Sequence, residues 1–166
     1  MTKTIENLKE AFAGESQASM KYRIFAEKAD AEGFGQAARM FRAASQAEKL
    51  HAETHLKNLE MVNDTATNLQ AAVDGETYEF STMYPEFIKE GEAEGAKAAV
   101  LKGFQFASDA EKVHADIYSR YLTELKQGPA SVELYLCNIC GHIAEGEAPE
   151  TCPLCGAKKM AFKKVD

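Results

Sequence analysis

A thirteen-residue segment is written twice in this chain. Phe41 to Glu53 returns as Phe104 to Asp116, sixty-three positions on, with eight of the thirteen residues identical. The shared centre reads Ala47-Glu48-Lys49-Leu50-His51-Ala52 in the first copy and Ala110-Glu111-Lys112-Val113-His114-Ala115 in the second. A period this long spans two helices and their connection, so the repeat predicts a duplicated helical hairpin rather than a solenoid.

The sequence around the copies carries a helical period. From Ile5 to about Glu32, small or apolar residues recur three and four apart at Ile5, Leu8, Phe12, Ser19, Tyr22, Ala26 and Ala29. Gly33-Phe34-Gly35 should break that helix. A second helix is expected from about Gln36 to Met61, its stripe passing through Phe41, Ala44, Glu48, His51 and His55. The third starts near Leu69 and continues through Val73, Glu76, Phe80 and Met83, with Pro85 expected to kink it. After a break at Gly91 to Gly95, the fourth runs from about Ala96 to Lys126 through Phe104, Ala107, Glu111, His114 and Tyr118. Four amphipathic helices with short connections predict an all-α four-helix bundle over residues 1–127.

Polar residues sit on the inner line of these stripes, where a carboxylate is costly unless its charge is compensated. Residues three apart share one face of a helix, so each Glu-x-x-His offers a carboxylate and an imidazole to the same ion. Glu15 precedes Glu48 by 33 residues and Glu79 precedes Glu111 by 32, which pairs Glu15 with Glu79 as equivalent members of the two hairpins. Glu76 shares the face of Glu79. Carboxylates with one or two imidazoles suit iron or manganese better than zinc. Several inward carboxylates make physical sense when two divalent cations neutralise them. His55, whose counterpart is Tyr118, reads as a hydrogen-bonded histidine near the bundle end rather than as a ligand.

Residues 128–131 form a Gly-Pro linker, and residues 132–166 lack a helical period. All four cysteines lie there, as Cys137-x-x-Cys140 and Cys152-x-x-Cys155, each pair followed by glycine. A segment so short needs a staple, and four thiolates supply one as a tetrahedral zinc or iron site. The glycines are expected to take positive φ and aim backbone amides at the sulfurs. The chain's net charge of −7 argues against nucleic acid or an anionic membrane as partner. No apolar run reaches the length of a membrane span, and the N-terminus lacks a signal-like apolar core, so a cytoplasmic protein is expected.

Ala13-Gly14-Glu15-Ser16-Gln17, the two Glu-x-x-His copies, Gly75-Glu76-Thr77-Tyr78-Glu79 with Met83-Tyr84-Pro85, and the paired cysteine knuckles together resemble the rubrerythrin family. The resemblance covers nearly the whole chain. It implies a ferritin-like bundle holding two irons and a C-terminal rubredoxin-like domain holding one iron on Cys137, Cys140, Cys152 and Cys155, with zinc an alternative in that site. It assigns Glu15, Glu48, Glu79 and Glu111 to one iron and Glu48, Glu76, Glu111 and His114 to the other, Glu48 and Glu111 bridging. His51 would replace Glu79 on the first iron in the reduced state. Tyr22 and Tyr84 match tyrosines that hydrogen-bond ligand carboxylates. The implied activity is reduction of hydrogen peroxide to water in oxidative stress defence. The electrons would originate from NAD(P)H and arrive through a rubredoxin or reductase, with the four-cysteine iron as relay. Relatives form homodimers in which the cysteine domain meets the partner's bundle, and some exchange helices. The chain departs from many relatives at His142, where they carry an aromatic residue; a surface role is expected for it. An iron-oxidising or iron-storing ferritin-like protein and a zinc-ribbon scaffold without catalysis are the alternatives. The cysteine domain argues against the first and the inward glutamates against the second.

Overall fold

A computed structural model describes residues 2–128 and 130–166; Met1, and Pro129 of the expected linker, lie outside them. The chain divides after Asn63 into two compact units. The first is a helical hairpin, α1 (Lys3–Ala31) against α2 (Gly35–Asn58). Thr2 caps α1 by accepting the Ile5 N–H, as a hydroxyl before a helix does. The chain turns at Gly33, whose φ of +83° an L side chain would resist. Two bonds close this end, Gly33 N–H to Asp30 O and Phe34 N–H to Ala29 O, and they satisfy carbonyls that the helix leaves unpaired.

The second unit opens with α3 (Thr65–Tyr78), capped by the Asp64 side chain on the Thr67 N–H at 2.8 Å. A five-residue π turn, Glu79–Met83, carries it without interruption into α4 (Tyr84–Ala93). Pro85 was expected to kink the helix by losing a hydrogen bond. Instead it occupies the first turn of α4, and the π turn before it absorbs the irregularity, with the Tyr84 N–H reaching back to Glu79 O. Gly95, at φ +69°, repeats the Gly33 closure through Gly95 N–H to Glu92 O and Ala96 N–H to Gly91 O. Helix α5 (Ala98–Glu124) then packs on α3 and α4. These two hairpins supply the four long helices read from the sequence, with ends within a few residues of those expected.

Strands β1 (Leu134–Cys137), β2 (Ile143–Glu145) and β3 (Phe162–Val165) make an antiparallel sheet in the order β2-β1-β3. Its core is small: Cys137, Cys140, Ala148, Cys152 and Phe162, with Phe106 of α5 packed against it. The fold class is therefore the one expected, all-α hairpins followed by a cysteine-centred β/loop domain.

Candidate metal centres

Among the described residues the candidate ligands gather in three groups, the four cysteines and one triad in each hairpin, and Glu79 belongs to none of the three. In the first unit, Glu15 comes from α1 and Glu48 and His51 from α2. His51 Nδ1 lies 2.9 Å from Glu48 and 3.7 Å from Glu15. In the second unit, Glu76 comes from α3 and Glu111 and His114 from α5. His114 Nδ1 lies 2.7 Å from Glu111 and 3.8 Å from Glu76. The two triads are copies in geometry as well as in sequence. Each hairpin also carries a copied aromatic cluster: Tyr22 with Phe25 and Phe41, and Tyr84 with Phe87 and Phe104, all centroids between 5.6 and 6.2 Å apart. Neither tyrosine hydroxyl bonds a carboxylate among the described residues, so packing is what the structure records for both rings.

The copies correct one expected pairing. Gly14-Glu15-Ser16 aligns with Gly75-Glu76-Thr77 at an offset of 61, whereas Ser19, Tyr22 and Phe25 align with Ser81, Tyr84 and Phe87 at 62. One residue has been added between the two stretches, and the π turn Glu79–Met83 is where the helix accommodates it. Glu76 is thus the counterpart of Glu15. Glu79 belongs to the added turn and has no counterpart in the first hairpin. Counting along the sequence from Glu111 misled because the connection between α4 and α5 is also one residue longer, Lys97 following Ala96.

Metal-free, the second triad is electrostatically crowded. Burial, then a hydrogen bond and repulsion from Glu111, push the Glu76 carboxyl up to about 7. Burial and Glu111 raise Glu79 as well. Burial, and after it the charges of Glu111, Glu79 and Glu76, raise the Tyr84 hydroxyl.

His114 differs from its copy in a second contact. Its Nε2 lies 2.9 Å from the carbonyl oxygen of Gly141, the residue after Cys140. A carbonyl only accepts, so Nε2 carries a proton, and Nδ1 is the ring nitrogen that faces Glu76 and Glu111. The tail is held on α5 there: Gly141 lies over the buried Ala110, Arg120 pairs with Glu145, and the Tyr121 hydroxyl reaches Glu145 at 3.4 Å.

In the tail the cysteines form one cluster without disulfides, Cys137 and Cys155 Sγ 3.8 Å apart and Cys140 and Cys152 Sγ 3.6 Å apart. Gly141 and Gly156 take the expected positive φ of +82° and +75°. Burial pushes the Cys137 thiol up, but backbone amides of Ile139 and Cys140 and the neighbouring thiols outweigh it and hold it below its ordinary range. Burial raises Cys140 and Cys155. One expectation for the histidines fails. His142 is half-buried, not a surface group, with its ring edge-on to Phe162 at 6.2 Å, the packing an aromatic residue would supply. His55 Nδ1 is buried without a hydrogen-bond partner among the described residues.

The family model described as Rubrerythrin matches residues 6–122, and the one described as Rubrerythrin, rubredoxin-like domain, matches residues 135–163. The chain belongs to the rubrerythrin family. It is 38% identical to Nigerythrin of Nitratidesulfovibrio vulgaris, the match covering 96% of this chain and 85% of that protein. It is 35% identical to Rubrerythrin-1 of Clostridium acetobutylicum over 93% of this chain and 90% of that one. A solved structure described as the fully reduced, all-ferrous state of nigerythrin matches with a TM-score of 0.60 at 35% identity, covering 99% of this chain and 88% of that one.

A rubrerythrin carries a di-iron site in its ferritin-like bundle and a four-cysteine rubredoxin-like site, and the donors here fit both. Four sulfurs about 2.3 Å from a central ion sit about 3.8 Å apart, the spacing observed. In the second triad one imidazole nitrogen faces two carboxylates, an arrangement that needs a proton or a cation between them. No helix among the described residues is long and apolar enough to cross a membrane.

Proposed function

We propose that the chain is a cytoplasmic peroxide reductase in which the tail, residues 132–166, feeds electrons to the bundle, residues 1–127. The hydrogen bond from His114 Nε2 to Gly141 O carries this reading, because it ties a cysteine knuckle to a candidate iron ligand through one contact. A storage protein needs no such link.

In this reading Cys137, Cys140, Cys152 and Cys155 hold the relay iron. Glu15, Glu48 and His51 of the first hairpin and Glu76, Glu79, Glu111 and His114 of the second are the residues that would hold the iron pair. When bound, the di-iron centre supplies two electrons together to the O–O bond, which avoids radical release. Reduction of one peroxide to two waters also takes up two protons. Tyr84, whose hydroxyl is held protonated by burial and by three neighbouring carboxylates, keeps a proton beside the site. Tyr22 holds the matching place in the first hairpin. His51 is 57% exposed and Glu48 close to it, so His51 is free to swing between its carboxylate and an ion. Gly141 fixes the tautomer of His114, so Nδ1 stays available as a ligand. The electrons originate from NAD(P)H through a rubredoxin or reductase, and the working form is a homodimer.

The test is anaerobic. The reduced protein receives one equivalent of hydrogen peroxide while the visible absorption of the ferric four-cysteine centre is followed. Colour should return quickly, and Glu48→Ala or Glu111→Ala should abolish the return. A coloured tail indifferent to peroxide would overturn the reading in favour of iron handling.

A further inference from the structure

In the first hairpin two serines clasp the helices together. Ser19 Oγ donates to Ser45 O and Ser45 Oγ donates to Ser19 O, each at 2.9 Å, so α1 and α2 are bonded hydroxyl to backbone in both directions. The copies of these serines are Ser81 and Ser108, at offsets of 62 and 63. They do not clasp. Ser81 is exposed and turned onto its own helix, its hydroxyl on Thr77 O at 2.5 Å. Ser108 is left buried on α5, and its hydroxyl donates instead to Phe80 O at 3.5 Å.

Phe80 O has lost its usual helical donors. In a regular α-helix it would accept the Tyr84 N–H, four residues on, but that N–H reaches Glu79 O. In a continued π turn its donor would be residue 85, and Pro85 has no N–H. A half-buried carbonyl stripped of its donor is costly, and Ser108 supplies one from across the hairpin. Among the described residues no other hydrogen bond ties the turn Glu79–Met83 to another helix. The residue added to α3 thus broke the copied clasp and moved its partner from Ser81 to Phe80. The same turn carries Glu79. After burial, the charge of Glu111 is the largest influence on the Glu79 carboxyl, yet Glu79 stands outside the close group of Glu76, Glu111 and His114.

We propose that Ser108 is a positioning residue for Glu79: its bond to Phe80 O tethers the π turn to α5 and so sets where the Glu79 carboxylate stands beside the metal ligands. The proposal rests on the reading of Glu79 as one of the residues that hold the iron pair, and it names what places that residue. At 3.5 Å the bond is looser than either bond of the first clasp, so the turn is tethered rather than locked. Glu79 can then shift toward an ion or away from it while Phe80 O keeps its donor. Glu15, on a regular helix closed by the tight clasp, has no such freedom.

The test uses the full chain with zinc in the tail and manganese as the probe of the bundle. Ser108→Ala removes the hydroxyl and nothing else. In the manganese-free protein it should speed hydrogen exchange of the amides from Phe80 to Tyr84 by about five- to tenfold. Ser45→Ala, which opens the first clasp, should leave exchange there unchanged. Ser108→Ala should also weaken manganese binding about tenfold. In a Glu79→Ala background that loss should vanish, because a residue acting through Glu79 then has nothing to position. Ser108→Thr, which keeps the hydroxyl, should retain both the exchange rates and the affinity. The proposal is overturned if Ser108→Ala leaves exchange in the turn unchanged, or if it weakens manganese binding equally with and without Glu79. If Glu79→Ala alone binds manganese as tightly as the unaltered chain, the reading of Glu79 as a ligand falls, while faster exchange in Ser108→Ala still upholds the tether.

Discussion

Glu76 shows how much of the second triad's behaviour is set by the absence or presence of an ion. Its folded pKa of about 7 lies above the ordinary carboxylate range because burial and Glu111 both disfavour its charge. A group that binds its proton more tightly when folded stabilises the fold below the unfolded pKa, and this contribution disappears as pH rises through the folded value. The metal-free protein should therefore lose thermal stability between about pH 5 and pH 8, and Glu76→Gln should flatten that dependence. Calorimetry across the range decides it; a Tm that rises with pH in the same window would contradict the assigned environment. A second residue-scale prediction concerns Gly141. At φ +82° it turns its carbonyl onto His114, while an added Cβ would meet Ala110 only at ordinary contact distance, 3.8 Å. Gly141→Ala should thus cost about 1–2 kcal/mol from backbone conformation rather than from a clash. Denaturant unfolding of the metal-loaded protein measures it, and Gly146→Ala, also at positive φ but with open space around it, is the matched control.

At the scale of elements, the sequence carried most of the architecture. A period of three and four located all four helices, the repeat identified two hairpins, and the cysteine spacing located the tail's centre. The π turn was missed, although the shift from an offset of 61 to 62 across Glu76 and Tyr84 records it. Periodicity counts faces over many residues and cannot register one extra residue, particularly beside a proline that offers a simpler reason for irregularity. The contacts of His142 with Phe162 and of His114 with Gly141 were invisible for another reason: they are tertiary and depend on how the tail lies on α5. The π turn invites its own test. If it exists to add Glu79, deleting that residue should leave a regular α-helix that copies the Gly14–Phe25 stretch. Hydrogen exchange of the amides from Phe80 to Tyr84 should then slow, since each gains an ordinary α-helical partner. Glu79→Ala, which keeps the turn, should leave exchange there unchanged. Deletion that unfolds the hairpin would mean the extra residue is required for packing.

On the scale of the whole molecule, the two kinds of metal centre depend on one another. The tail's core consists largely of the cysteines themselves, with Phe162 and Ala148 the other buried members. Without an ion, crowded thiols at 3.6 to 3.8 Å are poor core material, and so small a core has little else to hold it. Stripping the tail metal should melt the sheet while the helices remain. Melting also removes the Gly141 carbonyl from His114, releasing the tautomer that keeps Nδ1 a ligand. Loss of such a supporting hydrogen bond weakens metal binding by about 10–100-fold. Manganese should therefore bind the Glu76, Glu111 and His114 triad at least about tenfold more tightly when zinc fills the tail than when it is empty. Coupling of binding free energies is reciprocal, so loading the triad must tighten the tail's hold on zinc by the same factor. Equilibrium competition against a zinc chelator, with and without manganese, reads one side of the cycle, and manganese titration with and without tail zinc reads the other. His114→Gln should uncouple the two without unfolding the tail. Equal manganese affinities in the filled and emptied protein would show that the contact through Gly141 O transmits nothing between the centres.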